Sequence, residues 1–420
     1  MAFDAVTDLE LRPVTEAGVR LVALAERHAA EFAGRAADHD RDGSFPHQNW
    51  DEMKRSGYLA GSVPEEFGGL GVRSVHDLAV ATGRLARGDA STALGVNMHL
   101  SCPWLFTRLR EHACSSGDAA LEAQARMLLM LAGRGRLVAC IAFTEPGTYP
   151  NWPSTEARPV TGGYLVSGRK SFCTNVPAST LVLSSVRVPA AGGGHRLGFA
   201  AVPRTTAGLQ VRETWDALGM RASGSHDVVF EDCFVREEMV VMAGELGELS
   251  AGALSMVMVN TLTLAASSLG IAEAAHRLLL EGAGRRKGPA ARTMAERPAV
   301  QELVARNEID VAVGRAMVAR TAALLDECFA AHGHGDLDLD VLTRLMKDVQ
   351  CANVEVKGRA IAVVDRALTG SGGSGYLTRN PLSRLYRDVR AGPFMQPFSP
   401  LEAYEYIGKV ALGLPPTLDV

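Results

Sequence analysis

The chain has 420 residues, with 43 lysines and arginines against 47 aspartates and glutamates, a formal net charge of −4. Apolar residues make up 47% and charged residues 21%, the composition of a chain that buries a core, which excludes an intrinsically disordered one. The near-neutral balance argues against nucleic acid as the main partner, because neutralising phosphates needs a basic surface.

The first eight residues, Met1 to Asp8, carry two acids and lack a basic segment followed by an apolar one, so no secretory signal is expected. From about Val14 to Leu137 apolar residues recur at helical spacing, for example Val19, Leu21, Val22, Leu24 and Ala25. Turn signals such as Gly43-Ser44-Phe45-Pro46 break this stretch into several helices. The period then changes. Leu137 to Phe143, Gly163 to Ser167, Thr180 to Val186 and Val228 to Phe230 are short β-branched or aromatic runs separated by Gly, Pro and Asp, as expected of an antiparallel sheet or barrel. Long helical patterns return over Leu254–Glu281, Pro298–His332 and Leu337–Leu368, with a shorter one over Pro400–Leu412. The order predicts an α+β fold divided at 1–136, 137–243 and 244–420. The charge-free stretch Leu249–Ala272 is long enough for a membrane span, but its serines, threonines and Asn260 make a buried bundle helix the expectation, with no membrane. Seven cysteines without CxxC spacing read as free thiols of a reducing, cytoplasmic setting.

Four groups of motifs follow one another along the chain. They are Phe45-Pro46 with Val63-Pro64-Glu65-Glu66-Phe67-Gly68-Gly69-Leu70-Gly71; Phe143-Thr144-Glu145-Pro146-Gly147 with Gly168-Arg169-Lys170-Ser171-Phe172-Cys173-Thr174-Asn175; Leu218-Gly219-Met220-Arg221-Ala222-Ser223 with Val229-Phe230-Glu231-Asp232; and Gly372-Gly373-Ser374-Gly375-Tyr376 with Arg384-Leu385-Tyr386-Arg387-Asp388-Val389. In order and spacing they resemble the acyl-CoA dehydrogenase superfamily of flavoproteins over nearly the whole chain. The resemblance implies an N-terminal helical domain, a middle antiparallel β-barrel domain and a C-terminal four-helix bundle. It implies FAD, with Phe143, Thr144, Phe172, Cys173 and Thr174 at the flavin ring, Arg285 or Arg286 at its diphosphate and Gln301 also facing the cofactor. It also implies a homo-oligomer, dimer or tetramer, in which Gly372 and Gly373 reach the cofactor of a neighbouring subunit. A flat apolar wall with donors at its edge is what a ring that gains charge on reduction requires. Gly370 to Gly375 formally matches GxGxxG, but a helical pattern precedes it, so a dinucleotide-binding fold is rejected.

The family's catalytic glutamate is missing. Gln396 stands at its usual position and Asn260 at the alternative one, and an amide accepts no proton at neutral pH, whereas general-base catalysis contributes about 10²–10⁴-fold. Thr148-Tyr149-Pro150-Asn151-Trp152, where the family has Gly-Ser-Asp, points to a remodelled pocket. The resemblance therefore implies an oxidoreductase acting on an acyl thioester, on CoA or on an acyl carrier protein, by non-standard chemistry. Its alternatives are a flavin monooxygenase supplied with externally reduced flavin, and a flavin-binding partner subunit without activity. An electron-accepting flavoprotein, oxygen or a flavin reductase would be the redox partner. Glu402 and Glu405 read as first-turn helix carboxylates rather than a replacement base. His99 reads as a satisfied core histidine, Asp38–Gly43 as a turn and not a calcium loop, and His332-Gly333-His334 as a polar loop, so no metal is expected.

Overall fold

Helix starts are written into this chain as short polar side chains ahead of apolar periodicity. The computed structural model describes residues 9–190, 192–248, 251–285, 293–331, 338–395 and 398–416. Its first region is six helices: α1 (Glu16–Ala33), α2 (Ala36–Asp42), α3 (His47–Ser56), α4 (Val75–Ala86), α5 (Ala90–Ser116) and α6 (Ala119–Gly133). Thr15, Ser74, Asp89 and Asp118 cap α1, α4, α5 and α6, each side chain accepting a first-turn backbone N–H.

Eight strands follow: β1 (Ala139–Ala142), β2 (Glu156–Val160), β3 (Gly163–Cys173), β4 (Leu181–Pro189), β5 (His195–Pro203), β6 (Leu209–Arg212), β7 (His226–Arg236) and β8 (Val240–Glu245). They form one sheet in the order β6-β7-β3-β2-β4-β5-β8, with β1 added on β4. Most pairings are antiparallel, as the strand spacing predicts, but β1 and β2 both run parallel to β4. The β2–β3 hairpin lies between β1 and β4 in sequence and supplies the crossover that a parallel pair needs. Single-residue patterns carry no signal for that arrangement.

The last region holds α7 (Ala251–Arg285), α8 (Pro298–Ala331), α9 (Leu339–Ser371), α10 (Pro381–Val389) and α11 (Pro400–Ala411). The apolar stretch of α7 is long enough to cross a membrane, yet 94% of its most apolar window is buried inside the protein. Such a helix needs neighbours on every side, and it has them in α4, α5, α8 and α9. Leu85 and Val80 of α4 share one core with Met258 and Leu262 of α7, Leu325 of α8 and Met346 of α9. The two helical regions, separate in sequence, therefore pack as one body, and the sheet has its own core against α5 and α6.

Candidate functional site

Where the sheet meets this helical body lies a cavity of 340 Å³. Ile141, Phe143, Thr144, Phe172, Thr174, Trp215 and Ser225 wall it on the β side, Leu94 and Met98 line it from α5, Met256, Val257 and Asn260 from α7, and Arg387, Arg390 and Met395 lie at and beyond the end of α10. A β-bulge builds the aromatic wall. In a regular strand Lys170 and Phe172 would share a face, two residues apart. The register of β3 against β7 slips between Lys170 and Cys173, and Phe172 takes φ +55, a left-handed conformation costly for an aromatic residue. Lys170 is consequently 0% exposed while Phe172 is 61% exposed and stands in the cavity. Its ring meets Trp215 edge-on at 6.0 Å, and the Trp215 indole N–H donates to the Met220 carbonyl at 3.0 Å. Met220 is a second left-handed non-glycine residue on the same wall.

The loop from β1 to β2 is held by a buried ion pair. Lys170 Nζ donates to Glu145 Oε1 and to Ser185 Oγ at 3.1 Å. The other side of the Glu145 carboxylate accepts the Ser154 N–H at 2.7 Å, and Oε1 also accepts the Thr155 N–H at 3.0 Å. Burial would raise the carboxyl, but the Lys170 charge and these donors overcome it and hold Glu145 at about 2. Thr144, immediately before Glu145, accepts the Ser171 N–H at 2.9 Å, so the pair fixes both cavity-wall stretches to each other.

Across the cavity, α10 is stapled to the β region. Arg387 donates to both carboxylate oxygens of Asp40 on α2, at 2.8 Å to Oδ1, and to the Leu218 carbonyl at 3.2 Å. The Met220 N–H donates to Asp388 Oδ1 at 2.7 Å. Burial, partly opposed by Arg384, pushes Asp388 up to about 6. The approach demands glycine at position 219, where a Cβ would fall 2.2 Å from the Arg387 carbonyl oxygen. Asp38 to Asp42, expected as a turn, are instead the body of α2, with Gly43 as its left-handed C-cap, and Asp40 there serves Arg387.

Of the residues picked out from sequence, Phe143, Thr144, Phe172, Thr174 and Asn260 come together here. Asn260 accepts the Asn97 amide at 3.4 Å. Gln396 and Arg286 lie outside the described residues, as do His332, Gly333 and His334. Cys173 does not line the cavity: past the bulge its side chain is fully buried in the β core. Nor do Arg285, exposed beside Glu281 at 3.5 Å, or Gln301, which donates to the Ala295 carbonyl at 3.0 Å. Gly372 and Gly373 are exposed at the end of α9. Glu402 caps α11 and Glu405 pairs with Lys409 at 2.6 Å, both away from the cavity. Trp215, Met98 and Arg390 escaped sequence reading; only the Leu218-Gly219-Met220 motif signalled that the surrounding loop comes close.

His99 lies behind the wall, fully buried. Its Nε2–H donates to the Leu59 carbonyl at 2.9 Å and its Nδ1 accepts the Ala139 N–H at 3.1 Å. Burial lowers it to about 4 against the pull of that carbonyl, so it is neutral and structural. His99→Ala orphans the Leu59 carbonyl and the Ala139 N–H at the start of β1, and a loss of about 2–4 kcal/mol in urea unfolding is expected.

A second chamber of 380 Å³ lies between α5, α6, the sheet and the start of α7, and Phe143 and Met256 line both spaces. An apolar, aromatic wall with Thr144, Thr174 and Ser225 on it fits a planar heteroaromatic cofactor with polar atoms on its rim.

Comparison with known proteins agrees with this architecture. The chain matches the N-terminal, middle and C-terminal domains of acyl-CoA dehydrogenase over residues 20–108, 140–233 and 262–398. It belongs to the acyl-CoA dehydrogenase family of flavin-dependent oxidoreductases. Within that family it is 36% identical over 405 residues to the amino sugar nitrososynthase DnmZ of Streptomyces peucetius, covering 96% of this chain and 95% of that one. It is 38% identical over 404 residues to the amino sugar nitrososynthase RubN8 of Streptomyces rubradiris, covering 96% and 91%. The structure of KijD3 in complex with FMN and dTDP-3-amino-2,3,6-trideoxy-4-keto-3-methyl-D-glucose superposes with a TM-score of 0.89 at 33% identity, covering 98% of each chain.

Proposed function

We propose that the protein is a flavin-dependent N-oxygenase that oxidises the amino group of a nucleotide-linked amino sugar, with flavin bound in the cavity between the β region and α7. The observation that carries this reading is the charge of the walls. Among the described residues lining the cavity there are two arginines and no aspartate, glutamate or histidine. Removing a proton beside a thioester needs a base, and Asn260 is an amide. Oxygen transfer to an amine needs the nitrogen lone pair free. A carboxylate at hydrogen-bond distance would hold the amine protonated, whereas a cationic, carboxylate-free wall favours the neutral form.

In this reading Phe143, Phe172 and Trp215 give the flavin ring its aromatic surroundings, and the hydroxyls of Thr144, Thr174 and Ser225 meet its polar rim. The bound flavin, reduced by an external reductase, supplies activated oxygen. Asn260 orients the amine by hydrogen bonding without taking its proton, and the apolar remainder of the wall excludes water. The second chamber beyond Phe143 and Met256 gives a long ligand room to extend. The amino sugar nitrososynthases among its relatives and the FMN and amino-sugar ligands of KijD3 support the same assignment, with FMN preferred to FAD.

The test supplies FMN, a flavin reductase with its nicotinamide donor, oxygen and a thymidine-diphosphate amino sugar, and follows the product by mass. Gain of one oxygen on nitrogen, dependent on enzyme and reduced flavin, is the expected result. Bleaching of bound flavin by acyl-CoAs without oxygen, and no change to the amino sugar, would show a thioester dehydrogenase instead.

A further inference from the structure

The two arginines of the cavity differ in one respect. Arg387 is neutralised by Asp40. Arg390, three residues on and at the C-cap of α10, is half-buried in the same wall, and its guanidinium has no hydrogen bond or ion pair with any described residue. Its position beyond the last helical turn is electrostatically comfortable for a cation, but its guanidinium donates to none of the terminal carbonyls. A forked donor set that lines the cavity together with Ala391, Phe394 and Met395, with no acceptor among the described residues, is suited to a planar or tetrahedral oxyanion in the cavity. None of the described residues lining the cavity is a carboxylate, which leaves a bound ligand to bring the oxyanion.

We propose that Arg390 is a binding residue for a phosphate group of the ligands that occupy this cavity. Phosphate is the anion these ligands carry: KijD3 has been solved with FMN and a dTDP-sugar, and with dTDP. The inference rests on the flavin and nucleotide-sugar reading above and adds a named recognition element to it. Two sources share the chemistry, the 5′-phosphate of flavin mononucleotide and the diphosphate of the substrate.

Equilibrium titrations of the full chain with four probes separate them: FMN against riboflavin, and dTDP against thymidine. The unmodified protein should prefer the phosphorylated member of at least one pair. Arg390→Met should erase about tenfold or more of one preference, the scale of a charge-assisted bidentate contact, while the unphosphorylated member binds as before. Arg390→Lys should restore part of it. Loss of the FMN preference assigns the flavin phosphate; loss of the dTDP preference assigns the substrate diphosphate. A structural arginine would instead lower the melting temperature and leave both preferences intact, and that result overturns the proposal. So does an unmodified protein indifferent to phosphate. A protein that binds neither flavin nor nucleotide at all sinks the functional reading first, and this inference with it.

Discussion

Lys170→Met is expected to destabilise the chain by about 3–5 kcal/mol, the usual cost of leaving one member of a buried ion pair without its partner. Lys170 is 0% exposed and Glu145 4%, so the carboxylate that remains has no water to turn to. The depression of Glu145 from 4.5 to about 2 corresponds to about 3 kcal/mol at about 1.4 kcal/mol per pKa unit, which agrees in scale. Burial draws the Lys170 ammonium below its usual range even with Glu145 beside it. The pair is thus expensive to bury and more expensive to break. Glu145→Gln with Lys170→Met should therefore recover much of the loss in urea unfolding.

The pH dependence follows from the sign of the Glu145 shift. A carboxyl depressed in the folded state contributes stability that is present above its unfolded value of 4.5 and drains away as pH falls toward about 2. In Lys170→Met the largest part of that contribution, the Lys170 charge, is gone while the Ser154 and Thr155 donors stay, and protonating Glu145 relieves it of an unpaired charge. The stability gap between the two proteins should therefore narrow steadily below about pH 4.5. A gap independent of pH would mean that Lys170 acts by packing alone. Flavin affinity is expected to fall with stability in the single variant and to return in the double one, because the pair fixes Thr144 against Ser171.

Asn260→Glu places a carboxylate on the α7 wall of the cavity. An opposite charge within about 4–6 Å raises an amine's pKa by about 1–3 units, so turnover of the amino sugar at neutral pH should fall about tenfold or more, in proportion to the neutral amine that remains. The acidic limb of kcat/KM against pH should move up by about one unit or more, with flavin binding retained. The same variant places a carboxylate at the position that the family resemblance implies for an alternative base. Oxidation of acyl-CoA gained by Asn260→Glu, with an unmoved pH profile for the amine, would point back to dehydrogenation.

Much of the fold is legible in the chain because helices and strands signal locally. The long patterns at 254–281, 298–332 and 337–368 become α7, α8 and α9 with ends shifted by only a few residues. α10 was readable only as a motif, although Asn380 caps it and Pro381 takes its first turn, two signals of a helix start. The β side of the site was readable in part: Phe143, Thr144, Phe172 and Thr174 lie where the motifs place them. Cys173 was not, since one slipped register in β3 decides which of three adjacent residues face the cavity. Gly372, Gly373 and Arg285 do not line the cavity of this chain.

By itself, then, the sequence determined the order of helices and strands and the family, and it raised the expectation that Asn260 stands where the family can carry a carboxylate. These are properties of single positions and of short-range periodicity. Only the tertiary structure decided which charges the cavity holds. Asp40 and Arg387 are far apart along the chain and meet because α2 and α10 pack on the same β loop, which neutralises one arginine and leaves Arg390 to face the ligand. Periodicity records whether a side chain is buried on its own element; which groups neutralise each other across elements is settled only when those elements pack.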